Sequence, residues 1–164
     1  MGSGKSSVGR VLSDIIGFPF YDLDDLIAQN EQKSITELFK TEGEVYFRRK
    51  ESQIFREFIT SNNHFILALG GGTPCYANNH ELLKRDDILS VYLKTSVDVL
   101  MERLKTETTQ RPLLANLSEE ELKEYINKHL FDRNYYYHQA KITVNTDCKS
   151  KEEIASEIQS LLRM

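Results

Sequence analysis

The chain has no tryptophan and only 3 prolines, and no stretch of it reads as a linker, a repeat or a low-complexity segment. Its 2 cysteines, Cys75 and Cys148, lie far apart without C-x-x-C spacing, which argues against a disulfide or zinc scaffold and fits a reducing compartment. A net charge of -4 leaves no basic footprint, so nucleic acid is not an expected partner. No apolar run approaches the length of a membrane span, and no signal-peptide pattern is read ahead of the first helix. A cytoplasmic protein that touches no membrane is expected. With 164 residues there is room for one domain with a real core, and residues 1–164 are read as that single domain.

What is present begins at the first residue. Met1-Gly2-Ser3-Gly4-Lys5-Ser6-Ser7 reads as the last part of G-x-x-x-x-G-K-S/T, followed at once by apolar residues at helical spacing: Val8, Val11, Leu12, Ile15 and Ile16. The glycines let successive backbone N–H groups converge on phosphate oxygens, and the helix dipole adds to the attraction. Lys5 would then reach the β- and γ-phosphates and Ser6 would ligate Mg²⁺. Counting back from Gly4 places the first glycine of the motif, and the strand that feeds it, ahead of Met1. About ten further residues upstream are therefore expected. Without that strand the sheet would lose roughly 8 to 15 kcal/mol of apolar burial, at about 1.5 to 3 per side chain. Either serious destabilisation or an open slot in the sheet is the expected consequence.

Along the chain, strand-like and helix-like segments alternate, the pattern of an α/β fold with a parallel sheet covered by helices on both faces. Strands are predicted at residues 18–21, 65–69, 88–93 and 141–145, and helices at 44–59, 97–104, 119–131 and 151–162. Ser34 with Glu37, Ser118 with Glu121 and Ser150 with Glu153 have capping-box spacing. Residues 105–117, polar apart from Pro112-Leu113-Leu114, read as a long loop of the kind that serves as a mobile lid.

Several polar groups stand at strand ends, where open α/β sheets hold ligands. Asp22 and Asp24 leave one strand two residues apart and share a face, so that one can join a Mg²⁺ shell while the other meets a substrate hydroxyl. Gly70-Gly71-Gly72 follows the most buried strand and gives a ligand access to backbone amides. Arg48, Arg111 and Arg133 offer planar guanidinium forks for carboxylate or phosphate oxygens.

In order along the chain, these pieces resemble the shikimate kinases, P-loop enzymes of the nucleoside-monophosphate-kinase type. Gly2-Ser3-Gly4-Lys5-Ser6 matches the phosphate loop, Asp22-Leu23-Asp24 the D-x-D pair, and Phe47-Arg48-Arg49-Lys50-Glu51 the F-R-x-x-E helix. Gly70-Gly71-Gly72-Thr73 matches the glycine triplet, Arg111-Pro112-Leu113-Leu114 the lid motif, and Arg133 with Tyr137 the R-x-x-x-Y helix. The family usually has proline where Tyr135 stands here. The resemblance implies a three-layer P-loop kinase that uses ATP and Mg²⁺ to phosphorylate the 3-hydroxyl of shikimate in chorismate biosynthesis, and that is a monomer.

It also implies a division of labour. ATP would be bound by Gly2, Ser3, Gly4, Lys5, Ser6, Ser7, Arg111 and Arg103, the last near the adenine. Mg²⁺ would sit on Ser6 with Asp22 nearby. Shikimate would be held by Asp24, Arg48, Gly70, Gly71, Gly72 and Arg133, within a substrate-binding region of about residues 24–60 and the later elements. Lys5, Asp24 and Arg111 would be catalytic, Asp24 as the base and Arg111 closing from the lid. Arg49 and Glu51 would support the pocket at most. Two other readings remain open at this point: another small-metabolite P-loop kinase, such as a gluconate kinase, and a nucleotide-binding module without catalysis.

Overall fold

The computed structural model describes residues 2–106 and 117–162. The glycine-rich turn leads into α1 (Lys5–Ile16), which ends on Gly17 in the left-handed conformation, where a residue without Cβ pays no steric penalty. There follow β1 (Phe20–Asp22), α2 (Leu23–Glu31), α3 (Ile35–Thr41), α4 (Gly43–Ser61) and β2 (Ile66–Ala68). After a short 3-10 turn at Thr73–Cys75 come α5 (Asn79–Leu82), β3 (Val91–Lys94), α6 (Val97–Thr106), α7 (Glu119–Tyr137), β4 (Ile142–Asn145) and α8 (Lys151–Leu162).

The strands are parallel, as their alternation with helices demands. β1 pairs with β2 in the register Phe20 to Ile66, and β3 with β4 in the register Val91 to Ile142. Both sides of β2 are covered. Ile66 packs toward α1 and α8, whereas Phe65, Leu67 and Leu69 pack among α2, α3 and α4. That alternation, apolar on both faces, is the mark of a strand buried between helical layers. One apolar cluster joins Val8 and Leu12 of α1, Leu93, Val144 and Ile154, Ala155 and Ile158 of α8. A third, around Leu100, Leu104, Leu122 and Ile126, ties α6 to α7.

The described strands form two parallel pairs rather than one continuous sheet. An apolar cavity of about 450 Å³, lined by Ile66 and Ala68 on one side, Val91 and Leu93 on the other and Leu12 of α1, separates them. Among the described residues no helix is long and apolar enough to cross a membrane.

Several boundaries differ from the sequence reading. β3 starts at Val91 rather than at residue 88, because the Ile88 amide donates to the Arg85 carbonyl and the Ser90 hydroxyl to that of Leu83, which curls the chain before the strand. Helix α7 continues six residues beyond the predicted end at 131, because no glycine or proline stops it and its last residue is anchored on the glycine turn. Both halves of the capping box form at Ser118 and at Ser150, but at Ser34 only the serine half is made, the Glu37 amide donating to its hydroxyl. Helix α6 takes in residues 105 and 106 of the expected lid, and residues 107–116, with Arg111, lie outside the described residues.

Gly9 decides how closely α1 approaches β1. A Cβ there would lie 2.5 Å from the Phe20 ring. Alanine at this position gains helix propensity, about 1 kcal/mol, but must push a packed aromatic ring aside, at about 1 to 3 kcal/mol. Gly9→Ala is expected to lower the midpoint of urea unfolding; an unchanged or higher midpoint would contradict this packing.

Candidate functional site

The phosphate loop is held open by two glycines in the left-handed region, Gly2 at φ 67° and Gly4 at φ 83°. Gly4 begins α1 with no side chain capping it, and its carbonyl accepts the first helical bond from Val8 at 2.9 Å. The first turn therefore presents its positive end without a competing carboxylate, as an anion site requires. Ser7 of that turn is exposed, and Lys5 reaches back toward the Ser3 hydroxyl at 3.4 Å. Arg103 of α6 donates to the Gly2 carbonyl at 3.2 Å. The structure thus places Arg103 on the phosphate loop itself.

Ser6 and Asp22 meet at the same spot, the hydroxyl donating to Oδ2 at 2.6 Å. The other oxygen of Asp22 accepts from the Asp24 amide at 3.1 Å and so caps α2. This corrects the expectation that Asp22 and Asp24 share one strand face: Asp22 is the last strand residue, and capping turns Asp24 into the first turn of a helix. The carboxylate of Asp24 is largely buried, and its pKa is raised from an ordinary 3.8 to about 6. Burial is the main cause, the charges of Asp22 and Glu51 add to it, and Lys5 works against it. Lys5 and Asp24 are therefore electrostatic neighbours. Loop and acidic pair form one site.

Across from them stands the glycine turn. An added Cβ at Gly70 would lie 3.2 Å from Glu51 Oε1 and 3.6 Å from Asp24 Oδ1. At Gly72 it would lie 2.7 Å from the Arg48 guanidinium. So the triplet does more than expose amides: it lets three charged side chains close over the backbone. Arg48 is only 16% exposed, donates to Glu51 Oε2 at 2.8 Å, and stacks over the Tyr76 ring at 4.4 Å. Glu51, 1% exposed, accepts a second bond from the Thr73 hydroxyl at 2.6 Å. The family resemblance gave Glu51 a supporting place in the pocket at most. The i, i+3 spacing from Arg48 was the available signal for its role.

Arg133 lines the same cavity as Lys5, Gly70 and Gly71. Arg48 and Arg133 both act electrostatically on the half-buried Cys75 thiol, which places both guanidiniums in its neighbourhood. Burial, the largest influence, pushes that thiol up. Arg49, by contrast, points away, over the Tyr46 ring at 5.5 Å. Among the described residues no group of three or more His, Cys, Asp or Glu side chains could hold a metal. The arrangement is therefore an anion-binding loop facing a partly protonated carboxylate, with two arginines beyond it. That geometry suits transfer of a phosphoryl group to a hydroxyl on an anionic acceptor.

The family model for shikimate kinase matches residues 1–163. The chain belongs to the shikimate kinase family. Shikimate kinases of Flavobacterium psychrophilum and Flavobacterium johnsoniae are 49% and 50% identical to it, in each case over 99% of this chain and 94% of the relative. The crystal structure of shikimate kinase from Bacteroides thetaiotaomicron superposes with a TM-score of 0.92 at 32% identity, covering 100% of this chain and 94% of that one. Shikimate kinase from Acinetobacter baumannii in complex with shikimate gives 0.87 at 33% identity, with coverage of 99% and 88%. The fold is the α/β P-loop kinase fold.

The close approach at Gly72 yields a test. Its φ of -90° suits alanine, and the group in the way is the end of a flexible side chain. Gly72→Ala should change the melting temperature by only a few degrees while displacing Arg48. If the fitted cavity carries the acceptor, KM for shikimate rises several-fold with KM for ATP unchanged; equal KM values for wild type and variant would contradict the role given to this contact.

Proposed function

We propose that residues 1–164 act as one kinase domain that transfers the γ-phosphoryl group of ATP to the 3-hydroxyl of shikimate, with donor and acceptor held on opposite sides of Asp24. The observation that supports this most directly is the Asp24 carboxylate, largely buried beside Lys5 and Glu51 with its pKa near 6. A base poised close to the working pH is matched to taking a proton from a hydroxyl.

On the donor side, the backbone of Gly2, Ser3 and Gly4 and the first turn of α1, with Ser6 and Ser7, receive the phosphates. Lys5 neutralises charge on the transferring group, and Arg103 holds the loop through the Gly2 carbonyl. Ser6 and Asp22 offer adjacent hard oxygens, a donor set that fits Mg²⁺ and would hold it. When bound there, the ion would supply neutralisation of phosphate charge. On the acceptor side, Arg48 and Arg133 grip the carboxylate of shikimate, while Asp24 and the Gly70-Gly71-Gly72 backbone receive its hydroxyl face. Asp24 accepts the proton of the 3-hydroxyl, that oxygen bonds to the γ-phosphorus, and the bridging P–O bond to ADP breaks. Arg111, on the segment after α6, completes the set of cations in this reading.

Gluconate would also bring a carboxylate and hydroxyls, and a binding-only module would keep the loop. A panel of acceptors followed by ADP release separates the three: turnover with shikimate supports the proposal, whereas preference for gluconate, or ATP binding without turnover, refutes it.

Two predictions follow from Asp24. Because the base must be ionised, kcat/KM should fall about tenfold per pH unit below pH 6 and level off above it. Asp24→Asn should lower kcat by roughly 10² to 10⁴ and leave ATP affinity unchanged. Its effect on stability has the opposite sign. The folded state holds the Asp24 proton up to about pH 6, the unfolded chain only to about 3.8, so ionisation removes stability as pH rises through that window. Above pH 6 the Asn variant should therefore be more stable, by on the order of 1 to 3 kcal/mol, in denaturant titrations. A variant that is less stable at pH 8, or as active as wild type, would remove Asp24 from the base role.

A further inference from the structure

Tyr137, the last residue of α7, has no part in the proposed function so far, yet it is bonded to the glycine turn and lines the same cavity as Arg133. Its hydroxyl donates to the Gly71 carbonyl at 2.6 Å, across 66 positions of sequence. The Arg133 guanidinium, one helical turn earlier on α7, acts electrostatically on the same hydroxyl. Its ring is held in place against Tyr92 of β3, centroids 5.0 Å apart.

Within the glycine turn the neighbouring carbonyls are already used. That of Gly70 accepts from the Thr73 amide at 3.1 Å, and that of Gly72 from the Cys75 amide at 2.9 Å. The Gly71 carbonyl is the acceptor left for Tyr137. The peptide bonds are trans, so fixing this carbonyl also fixes the Gly72 N–H, which points the opposite way along the same plane. A glycine pair has no side chain to restrict that plane, and rotation of the peptide is its natural freedom.

We propose that the Tyr137 hydroxyl is a positioning group for the acceptor: it fixes the Gly71-Gly72 peptide where it faces the cavity that Arg133 lines. The proposal rests on the reading that Arg133 binds the acceptor's carboxylate. Tyr137 acts by restricting backbone assigned to the acceptor, and such preorganisation appears in acceptor affinity rather than in the chemical step.

The test is Tyr137→Phe, which keeps the ring against Tyr92 and removes only the hydroxyl. KM for shikimate should rise about five- to twenty-fold, with kcat within about two-fold and KM for ATP unchanged. With shikimate methyl ester, whose acceptor carboxylate is masked, the ratio of kcat/KM between wild type and variant should shrink toward one. Tyr92→Phe, which removes a hydroxyl from the same ring pair, should leave the KM values as they are. An unchanged KM for shikimate in Tyr137→Phe overturns the proposal while wild-type turnover leaves the kinase reading intact; absence of wild-type turnover overturns both. Equal losses for shikimate and its ester also overturn it, because they mark a general packing defect. Should the Phe variant melt far below wild type, KM values are read at a temperature well below both melting points, where both proteins are folded. KM for shikimate must then rise in the same sense, and an unchanged value overturns the proposal.

Discussion

The pocket depends on one buried carboxylate. Glu51 is 1% exposed, and a charge so placed must be paired and hydrogen-bonded or the fold would reject it. Arg48 and Thr73 satisfy it, one from its own helix and the other from the turn after β2. The Thr73 carbonyl accepts from Asn79, whose own oxygen accepts from Ser52, back on α4. The chain of bonds closes on itself: helix, turn, α5, helix. Removing one member would leave others buried without partners, so the whole ring holds Arg48 over the glycine turn.

The same acidic group shapes the chemistry. Glu51 and Asp22 crowd Asp24 from two sides and burial desolvates it, so its proton is held to about pH 6. Lys5 opposes this without cancelling it. The site carries an electrostatic cost in the folded protein, which an ATP-bound cation and the arginines beyond the turn are suited to relieve. Stability and the proposed base function pull in opposite directions at Asp24, as is common where a group is tuned for proton transfer.

Much of this was legible in the sequence, and the reasons are local. Gly2, Gly4, Lys5 and Ser6 are read from chemistry within one turn of backbone, and α1 follows from apolar residues at helical spacing. α8 was placed with its observed bounds, because its caps and periodic residues are all nearby in sequence. Asp22 was expected near Ser6, and its carboxylate accepts from that hydroxyl. Its second task is capping α2, and sequence cannot tell that one carboxylate has two oxygens with two employments.

Other features had no local signal. The extension of α7 to Tyr137 depends on a hydroxyl meeting a carbonyl 66 residues away, and the late start of β3 on turn bonds made by Arg85 and Leu83 carbonyls. The burial of Glu51 follows from the approach of the glycine turn to α4, which no helical periodicity contains. By itself, then, the sequence determined which groups exist and the order of the elements: a phosphate loop, an acidic pair, three glycines and well-spaced arginines. Only the tertiary structure decided which charges lose their water and which meet, because burial and pairing are properties of segments brought together, not of any one of them.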